Sequence, residues 1–261
     1  MRIKLFQVDA FTDRVFGGNP AAVCFIDEWL EDEVMQNIAA ENNLSETAFA
    51  VKLDSAYEIR WFTPSSEVDL CGHATLASAH VLFEHYHFSG DKIIFQSRTR
   101  GELAVLREGE FLTLDFPADP PEKIDSNQTL NDAIGKHPIE SYRGKSDYLL
   151  VYDKQEDIED ISPDFTLLVE VDLRGIIVSA PGKNTDFVSR FFAPKLEINE
   201  DPVTGSAHTT LTPFWSKRLN KKVLTASQLS KRKGKLLCKL LGSRVLITGK
   251  AVTYLEGEIE M

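Results

Sequence analysis

Residues 57 to 64 of this chain, Tyr57-Glu58-Ile59-Arg60-Trp61-Phe62-Thr63-Pro64, are answered in kind and order 130 residues on by Phe187-Val188-Ser189-Arg190-Phe191-Phe192-Ala193-Pro194. The match runs on at the same offset, Glu67, Val68 and Asp69 falling on Glu197, Ile198 and Asn199. After a three-residue shift, Gly72-His73-Ala74 meets Gly205-Ser206-Ala207. An ordered series of strand, proline, acid, glycine and helix, repeated at near half the chain length, reads as an internal duplication of an α+β unit. A chain of 261 residues is long enough for two such units, each with its own core.

Within the first copy, residues 3 to 10 read as a strand, Gly17-Gly18-Asn19-Pro20 as a turn, and Ala21 to Ile26 as a second strand. Asp27 to Asn43 is predicted helical, with Leu30, Val34 and Ile38 on one face. Glu46 to Leu53 and Tyr57 to Phe62 alternate around Asp54-Ser55 and predict a hairpin. His73 to His87 reads as a helix whose first turns are small or apolar, and so as one buried on most sides. Strands at 92–96, 101–107 and 110–116 follow, and Pro117-Ala118-Asp119-Pro120-Pro121 reads as a linker. The expected division is 1–117 and 118–261, with the last strand, about 245–261, returning to the first half. The expected class is α+β, each half a curled, mostly antiparallel sheet around a central helix.

Charge and cysteine content narrow the function classes. A net charge of -11 works against nonspecific contact with nucleic acid or anionic membrane, and no base-reading motif is present. Lys217-Arg218 and Lys231-Arg232-Lys233 read as solvated surface. No apolar run reaches membrane-spanning length. Cys24, Cys71 and Cys238 are odd in number and far apart, which suits reduced thiols in a cytoplasmic protein and not a disulfide or CxxC metal framework.

A glycine entering a helix leaves free backbone N–H groups at the positive end of the helix dipole, where a carboxylate or phosphate binds. The duplication supplies two such junctions, at Gly72 and Gly205. Neither is a Walker or dinucleotide fingerprint, so a nucleotide site is not expected.

Three stretches carry a family resemblance: Asn43-Leu44-Ser45-Glu46-Thr47-Ala48-Phe49, Asp69-Leu70-Cys71-Gly72-His73-Ala74-Thr75, and Glu200-Asp201-Pro202-Val203-Thr204-Gly205-Ser206-Ala207-His208. With Gln7-Val8-Asp9-Ala10-Phe11 and Gly18-Asn19-Pro20-Ala21, they resemble the signatures of the PhzF-like, phenazine biosynthesis-like isomerases. The resemblance implies a diaminopimelate epimerase-like fold, an active site in the cleft between two domains, a homodimer, a small carboxylate substrate, and no metal or organic cofactor. It implies Glu46 as the acid/base that takes a proton from one substrate carbon and returns it to another, with His73 as the active-site histidine. A carboxylate doing this near neutral pH gains basicity from burial. Asp201 is expected to orient the substrate's amino or hydroxyl group, or to hold His73 in position. Gly72, Gly205, Ser206 and Ala207 are expected to bind its anionic group, with Asn19 lining the cleft.

Blander readings stand beside these. Glu46 can be an exposed strand-end charge, Asp201 a turn former and Ser206 a helix N-cap. A rival mechanism uses Cys71, since epimerases of the same fold work with two thiols. The offset of 130 places Asp201, not a second cysteine, opposite Cys71, and places Ile176 opposite Glu46. A thiol racemase acting through Cys71, alone or with Asp201 or Glu46, and a non-catalytic small-molecule-binding or interaction protein are the alternatives to the isomerase.

Overall fold

Strand alternation and two apolar helices organise the chain into a pair of units. The computed structural model describes all 261 residues; one unit comprises Met1–Asp115 with Thr248–Met261, the other Phe116–Ile247. No helix is long and apolar enough to cross a membrane.

The first unit opens with β1 (Arg2–Ala10), β2 (Asn19–Ile26), α1 (Asp32–Asn42), β3 (Glu46–Lys52), β4 (Tyr57–Phe62) and β5 (Glu67–Val68). It continues with α2 (Gly72–Glu84), β6 (Lys92–Ser97), β7 (Gly101–Glu108) and β8 (Phe111–Pro117). β1 pairs antiparallel with β2, β2 parallel with β3, β3 antiparallel with β4, β4 parallel with β6, and β6 antiparallel with β7. The helix α2 packs on β1, β2 and β3. Leu76, Leu82 and Phe83 are buried there, each contributing about 2 kcal/mol by leaving water. Its buried hydroxyls are satisfied within the helix, Thr75 donating to the carbonyl of Cys71 at 2.6 Å and Ser78 to that of Ala74 at 2.8 Å. A helix buried all round therefore keeps no stranded polar group on these positions.

The second unit contains β9 (Glu122–Ile124), α3 (Gln128–Ile134), β10 (Glu140–Arg143), β11 (Asp147–Val151), α4 (Gln155–Glu159) and α5 (Phe165–Leu168). Then come β12 (Gly175–Pro181), β13 (Phe187–Phe192), α6 (Gly205–Leu219), β14 (Val223–Gln228), β15 (Gly234–Leu241) and β16 (Arg244–Gly249). From β10 to β15 the pairings run antiparallel, parallel, antiparallel, parallel, antiparallel. That is the order found from β1 through β4 to β7, with α6 in the place of α2. Inside α6, Pro213 has no N–H for the carbonyl of Thr209, and the backbone N–H of Asp119 takes that carbonyl at 3.0 Å. The last strand, β17 (Ala251–Glu260), belongs to the first unit and pairs antiparallel along the length of β1.

Several sequence expectations move. α1 begins at Asp32 and not at Asp27, because Trp29 and Leu30 pack on the sheet and the Trp29 Nε1 donates to Glu58 at 2.9 Å. α2 ends at Glu84, short of His87, whose backbone is left-handed. The three-residue shift of the repeat lies earlier than the sequence suggested. A short 3₁₀ turn at Pro194–Leu196 holds the insertion, and Glu197 closes it in a left-handed conformation. Glu67 is answered by Glu200: Arg60 grips Glu67 at 2.7 and 2.6 Å, and Arg190 grips Glu200 at 2.6 and 3.0 Å. Cys71 is accordingly answered by Thr204, both being helix N-caps, and Asp201 by Val68. Strand register makes a further correction. Phe62 faces Thr47 while Phe192 faces Ile176, so the counterpart of Glu46 is Gly175.

Candidate active site

Glu46 is the first residue of β3, a strand buried from Thr47 to Val51, and it pairs with Ala21 at the start of β2. The chain enters it from α1 through Asn43, whose left-handed backbone ends the helix. Its side chain is 12% exposed, which rules out the solvated strand-end reading. His73 stands at the second position of α2 and is buried. Its Nε2 lies 3.1 Å from Glu46 Oε2.

Two further side chains meet the same ring. The amide nitrogen of Asn19, a fully buried residue, lies 3.1 Å from His73 Nδ1. Cys71 Sγ lies 3.4 Å from Nδ1 and 4.0 Å from Nε2. Asn19 reaches this position because Gly18 turns the chain with φ of +59° beneath it; a Cβ at Gly18 would stand 2.1 Å from the carbonyl oxygen of Ala10. The structure thus brings together Asn19, Glu46, Gly72 and His73 in one unit and adds Cys71.

The electrostatics follow from burial. Desolvation, with the Glu46 carboxylate adding to it, pushes the Cys71 thiol up to about 11. For His73, burial pulls the imidazolium down, while Cys71 and Glu46 pull it up, and the balance lies well above the ordinary histidine range. A thiol held protonated at neutral pH attracts no cation, so the Glu46 carboxylate is the partner that sustains the charge on His73.

The second unit carries the other expected residues. Thr204 is the N-cap of α6, and Gly205, Ser206 and Ala207 form its first turn. Ser206 lies inside the helix, so it is not the N-cap that the sequence alone allowed. Asp201 is buried and accepts a hydrogen bond from the Thr204 hydroxyl at 2.5 Å. Sequence reasoning passed over the residue that organises this loop. Gln228, fully buried at the end of β14, accepts from the Thr204 N–H at 2.8 Å and donates to the Asp201 carbonyl at 2.8 Å. The available signal was its place in the inward alternation Leu224, Ala226, Gln228, where a buried amide needs partners. His208, also fully buried, donates from Nδ1 to the Thr204 carbonyl at 2.8 Å, and burial pulls its imidazolium down to about 4.

Comparison with known proteins agrees with this architecture. The family described as Phenazine biosynthesis-like protein matches residues 8–257. An uncharacterized isomerase of Pseudomonas aeruginosa is 51% identical over the whole of both chains. The crystal structure of a phenazine biosynthesis protein PhzF family member from Enterococcus faecalis is 48% identical, with a TM-score of 0.97 and full coverage of both chains. A hydroxyproline epimerase from Agrobacterium vitis shares the fold alone, at 11% identity and a TM-score of 0.63 over 99% of this chain and 92% of that one. The chain therefore belongs to the phenazine biosynthesis-like family and is an isomerase with an epimerase-type α+β fold.

Proposed function

We propose that Glu46 is the general acid/base of this isomerase, taking a proton from one carbon of a small carboxylate-bearing metabolite and returning it to another. The observation that carries the reading is the Glu46 carboxylate, 12% exposed and 3.1 Å from the imidazole of the buried His73. As Glu46 removes the carbon-bound proton it becomes a carboxylic acid, the electron pair shifts along the substrate, and the same oxygen delivers the proton to the new carbon. His73 orients the carboxylate through Nε2, and the Asn19 amide lies 3.1 Å from the other ring nitrogen. Within the first unit the first turn of α2, at Gly72, is suited to binding a carboxylate group, and within the second unit the first turn of α6, at Gly205, Ser206 and Ala207, is suited to the same task. Asp201, fixed by Thr204 and Gln228, is assigned to its amino or hydroxyl group.

A thiol mechanism through Cys71 is the second reading, favoured by the 3.4 Å approach of Sγ to His73 Nδ1. Against it stands a thiol pushed up to about 11, which leaves little thiolate at neutral pH. Incubation in D2O with a panel of small unsaturated amino and hydroxy acids, followed by mass spectrometry, separates the two. Loss of carbon–deuterium exchange in Glu46→Gln, with exchange retained in Cys71→Ser, supports the carboxylate. The reverse pattern supports the thiol. Screening the same reactions for positional isomers covers a proton returned without solvent exchange, and ligand binding with neither product indicates a binding protein.

A further inference from the structure

We propose that Trp61 is a positioning residue for proton transfer: its indole lies along the Glu46 side chain, and its N–H is the donor that holds one carboxylate oxygen while the other works on the substrate. The positioning role rests on the assignment of Glu46 as acid/base; the contact does not.

The three tryptophans differ in what their indoles bond. Trp29 donates from Nε1 to Glu58 at 2.9 Å, and Trp215 from Nε1 to the Ser179 hydroxyl at 2.9 Å. Trp61 is 1% exposed, and its Nε1 is buried with no hydrogen-bond partner. A buried donor left unpaired costs stability, so its retention calls for a reason.

Strand alternation sets the direction of this donor. Phe62 packs with Phe49 and with Met35 and Ile38 of α1. Trp61, its neighbour on β4, therefore faces the opposite side of the sheet. Glu46, three residues before Phe49 on β3, faces that side too. Trp61 pairs with Ala48, which sets it diagonal to Glu46. Diagonal neighbours on one face are within reach of an aromatic side chain.

The duplication measures that reach. In the second unit Phe191 pairs with Ile177 and is diagonal to Gly175, the counterpart of Glu46. A Cβ at Gly175 would stand 2.4 Å from Phe191 Cζ, so the ring at this place overlies the position that carries the acid in the first unit. Where that side chain is missing the ring is a phenyl; where it is a glutamate the ring is an indole and brings a donor. Glu46 Oε2 is buried and lies 3.1 Å from His73 Nε2, and a carboxylate oxygen has two lone pairs. The indole N–H is suited to the second. A hydrogen bond that is open in a resting enzyme tightens in the working complex, and this one leaves Oε1 to exchange the proton with carbon.

The test labels the tryptophans of the full-length protein with 15N and follows the three indole N–H resonances. In the ligand-free protein, Glu46→Gln is expected to move the Trp61 resonance further than those of Trp29 and Trp215. This comparison needs no change at Trp61 itself, and a Trp61 resonance that moves no further than the other two overturns the contact. Trp61→Phe keeps a ring, of the kind the second unit carries at Phe191, and removes the donor. On an acid of the panel that exchanges deuterium, Trp61→Phe is expected to lower kcat about 10-fold or more and to change KM by less than about 2-fold. An unchanged kcat, or a loss confined to KM, overturns the positioning role and leaves the contact standing. Exchange that survives Glu46→Gln removes the acid/base reading and the positioning role with it, while the resonances still decide the contact.

Discussion

His73 Nε2 stands 3.1 Å from Glu46 Oε2, and the carboxylate keeps the buried ring protonated against the cost of its own burial. In Glu46→Gln that anion is gone and burial remains, so His73 is expected to titrate below the ordinary histidine value. Imidazole nitrogen NMR across pH reads this directly. The wild-type value is raised above that of the unfolded chain, so the pair's stabilisation is complete below about 6.5 and is lost as pH rises through the folded value. Urea unfolding of wild type and Glu46→Gln should therefore show a gap that narrows from neutral to alkaline pH; a constant gap refutes the assignment.

His208 predicts the opposite limb. Its folded value of about 4 lies below that of the unfolded chain, so stability is complete above about 6.5 and falls as pH drops to about 4, by about 3 kcal/mol. Asparagine in its place can still donate to the Thr204 carbonyl but does not titrate. His208→Asn should flatten the acid limb of a urea-denaturation series, and an unchanged slope would count against the buried neutral ring.

Arg190 joins Glu200 to two backbone carbonyls, of Ile158 at 3.1 Å and Ile161 at 2.7 Å. Arg190→Met leaves the acid and both carbonyls unpartnered by it and is expected to cost about 3 kcal/mol in denaturant unfolding. Arg190→Lys should recover less than half, because an ammonium cannot reproduce the planar fork.

Two glycines with similar backbone angles should behave differently. A Cβ at Gly101, φ +70°, meets nothing within 4 Å, whereas one at Gly18 meets the Ala10 carbonyl. Gly101→Ala is expected to cost about 1 kcal/mol of backbone strain, and Gly18→Ala about 3 kcal/mol or more. Because Gly18 precedes Asn19, Gly18→Ala should also slow deuterium exchange, and Gly101→Ala should not.

The sequence by itself determined the two-copy plan, since strand and helix periodicity are local and each copy carries them. It also determined the glycine-led helix junctions at Gly72 and Gly205, where a missing side chain is visible in the sequence itself. Glu46 and His73 were legible only through the family signatures, because neither residue has a local pattern that distinguishes a site from a strand end or a helix start. Tertiary structure alone decided the placement of the insertion at Pro194–Leu196, because only hydrogen bonding reveals that Arg190 takes Glu200 and not Glu197. It alone decided that Cys71 meets the His73 ring, since two residues apart across a helix N-cap can face together or apart. The clamp of Gln228 on Asp201 and Thr204 spans 27 and 24 residues, and a contact of that range follows from how β14 packs on the loop, not from its own sequence.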